Sequence, residues 1–140
     1  MKSFIFFSEG NSDPVTLKSW KIGGHCYMNN GMKFRNGRIV VPINGTYNIY
    51  SLINIMKLSN ESLDTKYEIG IYKYNILTMM EEKLSDSYIL KSRTKDGFYS
   101  TNMFVSLDAY LQKHDEIYVK ATNTKFIRNP SLNIFGLYML

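Results

Sequence analysis

Alternating apolar and polar positions, broken by turns rich in glycine and asparagine, run through most of the chain, and the clearest lie between Phe34 and Lys57. The dipeptides Asn36-Gly37 and Asn44-Gly45 tolerate the positive φ that tight hairpin turns require, so they bound a short strand, Arg38 to Pro42. From Gly45 to Ile55, the residues Tyr47, Ile49, Ile53 and Ile55 form one face of a period-two pattern that only Ser51 interrupts. The opposite face carries Thr46, Asn48, Tyr50, Leu52, Asn54 and Met56, and at Tyr50 and Leu52 it is too apolar for the solvated side of an antiparallel sheet. The anomaly recurs at Leu132 to Leu140, which is apolar on both faces around Gly136. No long amphipathic helix is written in the chain to cover such surfaces, so an interface with another subunit is the favoured reading.

The remaining pattern extends the all-β picture. Tyr67 to Tyr74 predicts a strand with Tyr67, Ile69 and Ile71 inward, and Phe98 to Leu111 a long one that sets Val105, Leu107, Ala109 and Leu111 against Phe104, Ser106, Asp108 and Tyr110. Glu116 to Ala121 alternates Ile117 and Val119 with Glu116, Tyr118 and Lys120, and Val15 to Ile22 predicts a short strand around a core Trp20. Ile76 to Leu84 fits either a helical or a strand period and is read as strand because its neighbours are strands. Lys57 to Lys66 is expected to be a crossing loop, and Ser85 to Gly97 mostly loop with brief pairing at Tyr88 to Leu90. About eight to ten short strands with regular turns predict a jelly-roll β-sandwich of two antiparallel sheets. A chain of 140 residues predicts a single domain spanning 1–140.

Composition agrees and narrows the function classes. The 11 Tyr and 8 Phe are interleaved with Ile, Val and Thr, as strands prefer. A net charge of +5 is spread along the chain with no two basic residues adjacent, which gives no nucleic-acid groove; it suits solubility or an acidic protein partner. The lone Cys26 cannot make an internal disulfide and is expected to be packing. The apolar run Phe4 to Phe7 is too short for a signal peptide and reads as a first strand; no transmembrane helix is written, so a membrane anchor or secretion signal would have to lie upstream. For catalysis, His25 and His114 are the only histidines, and His114 falls in a surface turn. The pairs Glu81-Glu82 and Asp115-Glu116 point to opposite faces of a strand and are expected to be solvated charge. An enzyme is not expected, nor a metal site or any other cofactor.

Four segments in order carry a resemblance: Gly45-Thr46-Tyr47-Asn48-Ile49-Tyr50-Ser51, the long strand to Leu111, His114-Asp115-Glu116-Ile117-Tyr118-Val119-Lys120, and Phe135-Gly136-Leu137-Tyr138. Together they resemble the tumour necrosis factor superfamily from Trp20 onwards, and Tyr74 to Tyr88 is most similar to the branch holding Fas ligand, TL1A and TRAIL. The resemblance implies an extracellular homotrimeric jelly roll, secreted or the ectodomain of a type II membrane protein, that binds cysteine-rich receptor ectodomains between protomers. Tyr50, Phe104, Ile134 and Leu140 match positions at or near the trimer axis. Tyr74 matches a tyrosine used on the receptor, with Ile76 or Leu77 able to take that contact instead. Asn48 and Ser106 depart from the family pattern, and the absence of Cys between Lys83 and Lys95 implies neither the loop disulfide nor the zinc of some members. Asn44-Gly45-Thr46 and Asn60-Glu61-Ser62 are glycosylation sequons, of which Asn60 is expected to be used. A complement-like globular head and a carbohydrate-binding or capsid-type sandwich are the alternatives on the same architecture.

Overall fold

In the computed structural model, residues 2–4, 13–18, 20–22, 31–57, 65–91, 99–124, 127 and 133–140 are described. The period-two stretches become strands: β1 (Lys2–Phe4), β2 (Val15–Thr16), β3 (Trp20–Ile22), β4 (Lys33–Arg35), β5 (Arg38–Val40), β6 (Gly45–Lys57), β7 (Thr65–Asn75), β8 (Met80–Lys91), β9 (Tyr99–Leu111), β10 (Glu116–Ala121) and β11 (Ile134–Met139). They make two antiparallel sheets, one ordered β3-β1-β11-β6-β9 and the other β4-β5-β10-β7-β8. The short strands β5 and β2 share one edge of β10, β5 pairing at Glu116 and Ile117 and β2 at Lys120 and Ala121. No α-helix occurs among the described residues. This is the jelly-roll sandwich that the alternation predicts.

The inward sets meet as expected. Tyr47, Ile49, Ile53, Ile55, Met103, Val105, Phe135 and Leu137 from the first sheet pack against Ile39, Tyr67, Ile69, Ile71, Ile117, Val119 and Ala121 from the second, nearly all without exposure. Trp20 joins this core with its ring 5.5 Å from that of Phe135. Ser51, the interruption in the β6 pattern, lies in register between Phe135 and Val105. A small side chain there leaves room for its neighbours, and its hydroxyl donates to the Ile134 carbonyl at 3.1 Å. Tyr47 is buried whole because its hydroxyl donates to the Ile43 carbonyl at 2.8 Å.

Several expectations need correction. Ser85 to Lys91 is not loop: β8 runs twelve residues and pairs with β7 throughout, with a register shift between Ile71 and Tyr72. Cross-strand partners, which local polarity does not reveal, make this polar stretch a strand. The segment Ile76 to Leu84 divides, with a turn at residues 76–79 and strand only from Met80. Asp115 and Glu116 are not solvated charge but 2% and 8% exposed. Asp115 accepts from the backbone N–H of Gln112 at 2.9 Å and from Asn75 Nδ2 at 3.1 Å, while Glu116 is paired with arginine. Of the loop expected from Lys57 to Lys66, Lys57 is instead the end of β6 and Thr65 and Lys66 the start of β7; residues 58–64, with Cys26, His25 and Asn60, lie outside the described residues.

Candidate functional site

Two surfaces of the sandwich carry the candidate residues. The first is the outer face of the β11-β6-β9 sheet. Its register sets Ile134, Leu52 and Phe104 in one row, Gly136, Tyr50 and Ser106 in the next, then Tyr138, Asn48 and Asp108. Thr46 and Tyr110 follow, with the Leu140 N–H donating to the Thr46 carbonyl. Tyr50, Phe104, Ile134 and Leu140 therefore do share one face. Phe104 and Leu140 are 58% and 64% exposed, while Tyr50 and Ile134 are half-buried.

The local packing explains the composition of that face. Tyr50 lies across β11 so closely that a Cβ at position 136 would come within 2.5 Å of its hydroxyl oxygen, which is why the doubly apolar strand has glycine at its centre. Its ring is 6.4 Å from that of Tyr138. Asn48, polar within this setting, donates through Nδ2 to Asp108 Oδ1 at 2.8 Å. At the opposite end, Asn54 donates to Asn102 Oδ1 at 2.9 Å and takes Asn133 Oδ1 on its backbone N–H at 2.7 Å, closing the apolar area with amides. Tyr110 and Tyr138, 61% and 53% exposed, belong to the same face. Sequence reasoning placed Tyr110 on the correct side of its strand without singling it out; the cross-strand register, invisible in one sequence, is what groups it with Leu140.

The second surface is the β7–β8 turn. Asn75 Oδ1 accepts the backbone N–H groups of Leu77 and Thr78 at 2.9 and 3.0 Å, an Asx-type turn. Its Nδ2 reaches Asp115, so the turn is tied to the neighbouring β9–β10 turn. Locked this way, the tip displays Ile76, Leu77, Met79 and Met80, of which Leu77 is 86% exposed. Met79 takes a positive φ of 55°, a conformation that methionine seldom adopts, and it closes the turn. Ile76 and Leu77 thus stand at the tip, whereas Tyr74 stands one residue inside the strand and half-buried. The methionines were not singled out from the sequence, because their spacing fitted helix and strand equally.

Tyr74 belongs to a packed polar and aromatic layer on the outer face of the second sheet. The Arg38 guanidinium lies 5.2 Å above the Tyr74 ring and 4.2 Å above Tyr118, and bonds Glu116 at 2.9 Å. Tyr118 stacks on Tyr72 at 6.0 Å, and Lys120 Nζ sits 4.8 Å from the Tyr72 ring centre. The Tyr118 hydroxyl donates to Glu81, which also accepts from Lys120 Nζ at 2.7 Å. Burial, then this donation to a carboxylate, pushes the Tyr118 phenol well above its usual range. Partial burial pushes Glu81 upward too, but the hydrogen bonds from Lys120 and Tyr118 outweigh it and hold its carboxyl below the usual value.

Of the two sequons, Asn44 is exposed in its turn, with Oδ1 accepting the Lys113 N–H at 2.7 Å. His114 is exposed, as expected, with a φ of 75°. Among the described residues no three His, Cys, Asp or Glu side chains converge as metal ligands.

The model of the TNF (Tumour Necrosis Factor) family matches residues 18–140, nearly the whole chain. Among curated proteins the chain has no match. The matched span includes every strand of both sheets except β1 and β2.

Proposed function

Since the chain belongs to the tumour necrosis factor family, a family of cytokine ligands and not of enzymes, we propose that it acts as an extracellular homotrimer that binds and clusters cysteine-rich receptor ectodomains of the corresponding receptor family. The ligand domain takes in at least the matched residues 18–140. Within the family, the resemblance of Tyr74 to Tyr88 to the Fas ligand branch supports a role in immune and apoptotic signalling.

The observation that carries the reading is the exposed apolar outer face of the β11-β6-β9 sheet. Phe104 and Tyr110 on the edge strand β9, and Tyr138 and Leu140 on and just after the inner strand β11, are each more than half exposed. A contiguous apolar patch of this kind marks an interaction surface. Self-association through Tyr50, Phe104, Ile134 and Leu140 covers it, and a threefold closed assembly repeats the same contact without leaving an open end.

The β7–β8 turn supplies the receptor contact, through Tyr74, Ile76 and Leu77. Leu77 and Ile76 offer apolar surface on a turn already fixed by Asn75, so little ordering entropy remains to be lost on binding. Tyr74 contributes a ring whose orientation Arg38 sets. Asn60 is the sequon that carries glycan, with Asn44 the second acceptor.

The test is retention of cysteine-rich receptor ectodomains on the immobilised protein, followed by Tyr74→Ala. The substitution should weaken binding by about 2 kcal/mol while leaving the trimer mass intact. Unchanged affinity would move the contact to Ile76 and Leu77, and loss of the trimer would make Tyr74 structural.

A further inference from the structure

A polar cavity of about 370 Å³ opens beside the β4–β5 hairpin, lined by Thr16, Lys18, Arg35, Asn36, Arg38 and Glu116. It lies apart from the apolar sheet face and from the tip of the β7–β8 turn. Three cations line it against one carboxylate. That carboxylate is already engaged: Glu116 Oε1 bonds Arg38 at 2.9 Å and Oε2 faces Arg35 Nη2 at 3.5 Å. Lys18, among the described residues, has no carboxylate partner. The lining of the cavity therefore keeps an excess of positive charge.

Backbone geometry builds this arrangement. Gly37, at φ +81°, lies so close to the chain before it that a Cβ there would stand 2.5 Å from the Leu17 carbonyl oxygen and 3.0 Å from Lys18 Cα. The hairpin is thereby seated on the segment that follows β2, and Lys18 is brought to the cavity that Arg35 and Arg38 line from a directly paired position of β4 and β5. Arg38 is oriented further by the Tyr118 ring 4.2 Å beneath it. Arg35, by contrast, is 69% exposed and meets Glu116 only at 3.5 Å, so its guanidinium can also reach toward a ligand.

We infer that this cavity binds an anionic sugar, a sulfated unit of an extracellular polysaccharide. Guanidinium forks and an ammonium suit the oxygens of a sulfate ester through charge-assisted hydrogen bonds. The Thr16 hydroxyl and the Asn36 carboxamide add neutral donors and acceptors, which a lone ion does not need and sugar hydroxyls do. The volume lies within the range of small-ligand sites and exceeds what one sulfate group fills. A wholly polar rim disfavours an apolar ligand.

The test uses a fully sulfated heparin-derived tetrasaccharide titrated into the intact protein at low ionic strength. The double substitution Lys18→Ala/Arg35→Ala should weaken binding by about tenfold or more. The double substitution Lys83→Ala/Lys113→Ala removes the same amount of charge from exposed sites elsewhere and should leave affinity within about twofold. Arg38 is left intact because it also packs on Tyr74, and trimer mass and receptor retention are measured on both variants, so the outcome separates from that of the receptor reading. All the positions changed are solvent-exposed, and equal thermal midpoints confirm that the variants fold. Equal losses in the two doubles would mean diffuse electrostatic attraction and overturn the site. Absence of wild-type binding would do the same, and so would undiminished binding of the desulfated tetrasaccharide. A glutamate-rich peptide that bound as tightly and lost as much in the first variant would replace the sugar with an acidic protein segment.

Discussion

Phe104→Ala separates what holds the protomer together from what joins protomers. Phe104 is 58% exposed on a sheet face and stands in register with Leu52, itself beside Ile134. A phenylalanine brings roughly 150–250 Å² to a buried contact, so about 100 Å² is left for a partner to cover. At about 25 cal/mol per Å², and allowing for the area an alanine would still bury, the loss is about 2 kcal/mol per protomer. Three equivalent positions bring this to about 6 kcal/mol per trimer, or about 10⁴-fold in the dissociation constant.

The isolated protomer should lose about 1 kcal/mol or less, since Phe104 stands outside the core formed by Met103 and Val105 on either side of it. Sedimentation equilibrium over a broad concentration range reads the first quantity. Urea unfolding at a concentration where the variant and the wild type are both dissociated reads the second. A dissociation constant that does not move would remove Phe104 from the interface. A protomer destabilised as much as the assembly would mean that the residue belongs to the fold and not to the contact.

Two further changes probe the second sheet and its hairpin. Gly37→Ala puts an L side chain at a positive φ and a Cβ 2.5 Å from a backbone carbonyl, so urea unfolding should show a loss of about 2–4 kcal/mol; a change below about 0.5 kcal/mol would show that the hairpin relaxes away from Leu17. Glu81, whose carboxyl is held below its ordinary value in the folded protein, takes up its proton more readily in the unfolded chain. Its contribution is therefore complete at neutral pH and is lost as pH falls from the ordinary carboxylate range through the depressed folded value. Glu81→Gln should lower the thermal midpoint near pH 7 and make it fall less steeply in acid, and an acid slope equal to that of the wild type would sink the assignment.

The fold was legible where one property, inward apolar alternation, decided the structure. Tyr47, Ile49, Ile53 and Ile55 face the core whatever the strand order, so their burial follows from periodicity. β8 was not legible, because Ser85 to Lys91 lacks a strong alternation and is held as strand by its ladder to β7. The buried carboxylates failed for a related reason. Asp115 and Glu116 look like surface charge in a sequence, and only the approach of Asn75, Arg38 and the Gln112 N–H makes their burial tolerable. In the candidate site, Tyr50 and the final strand announced an outer apolar face, but the membership of Tyr110 and Tyr138 depends on register across three strands. The arginine over Tyr74 was out of reach altogether, since Arg38 lies 36 positions before it in the sequence.

Why the proposed partner surface falls on one sheet and not the other follows from what covers the aromatic rings. Both outer faces carry tyrosines, Tyr50, Tyr110 and Tyr138 on the first sheet and Tyr72, Tyr74 and Tyr118 on the second. On the second, the chain supplies its own cover: Arg38 lies over Tyr118 and Tyr74, Lys120 over Tyr72, and Glu81 and Glu116 neutralise the two cations. Tyr118 is consequently 0% exposed on a sheet face that has no second layer above it among the described residues. On the first sheet, among the described residues, the rows around Tyr50 offer no basic side chain for the same task; those that include Phe104, Tyr138 and Tyr110 contain only Leu52, Ile134, Asn48, Asp108 and Thr46 besides. Long cationic side chains can lay their stems over apolar rings and keep their charge in water, whereas short amides and hydroxyls cannot. Among the described residues this face lacks the arginine and lysine that cover the other, which supports the proposal that a second protomer covers it as much as the apolar residues do.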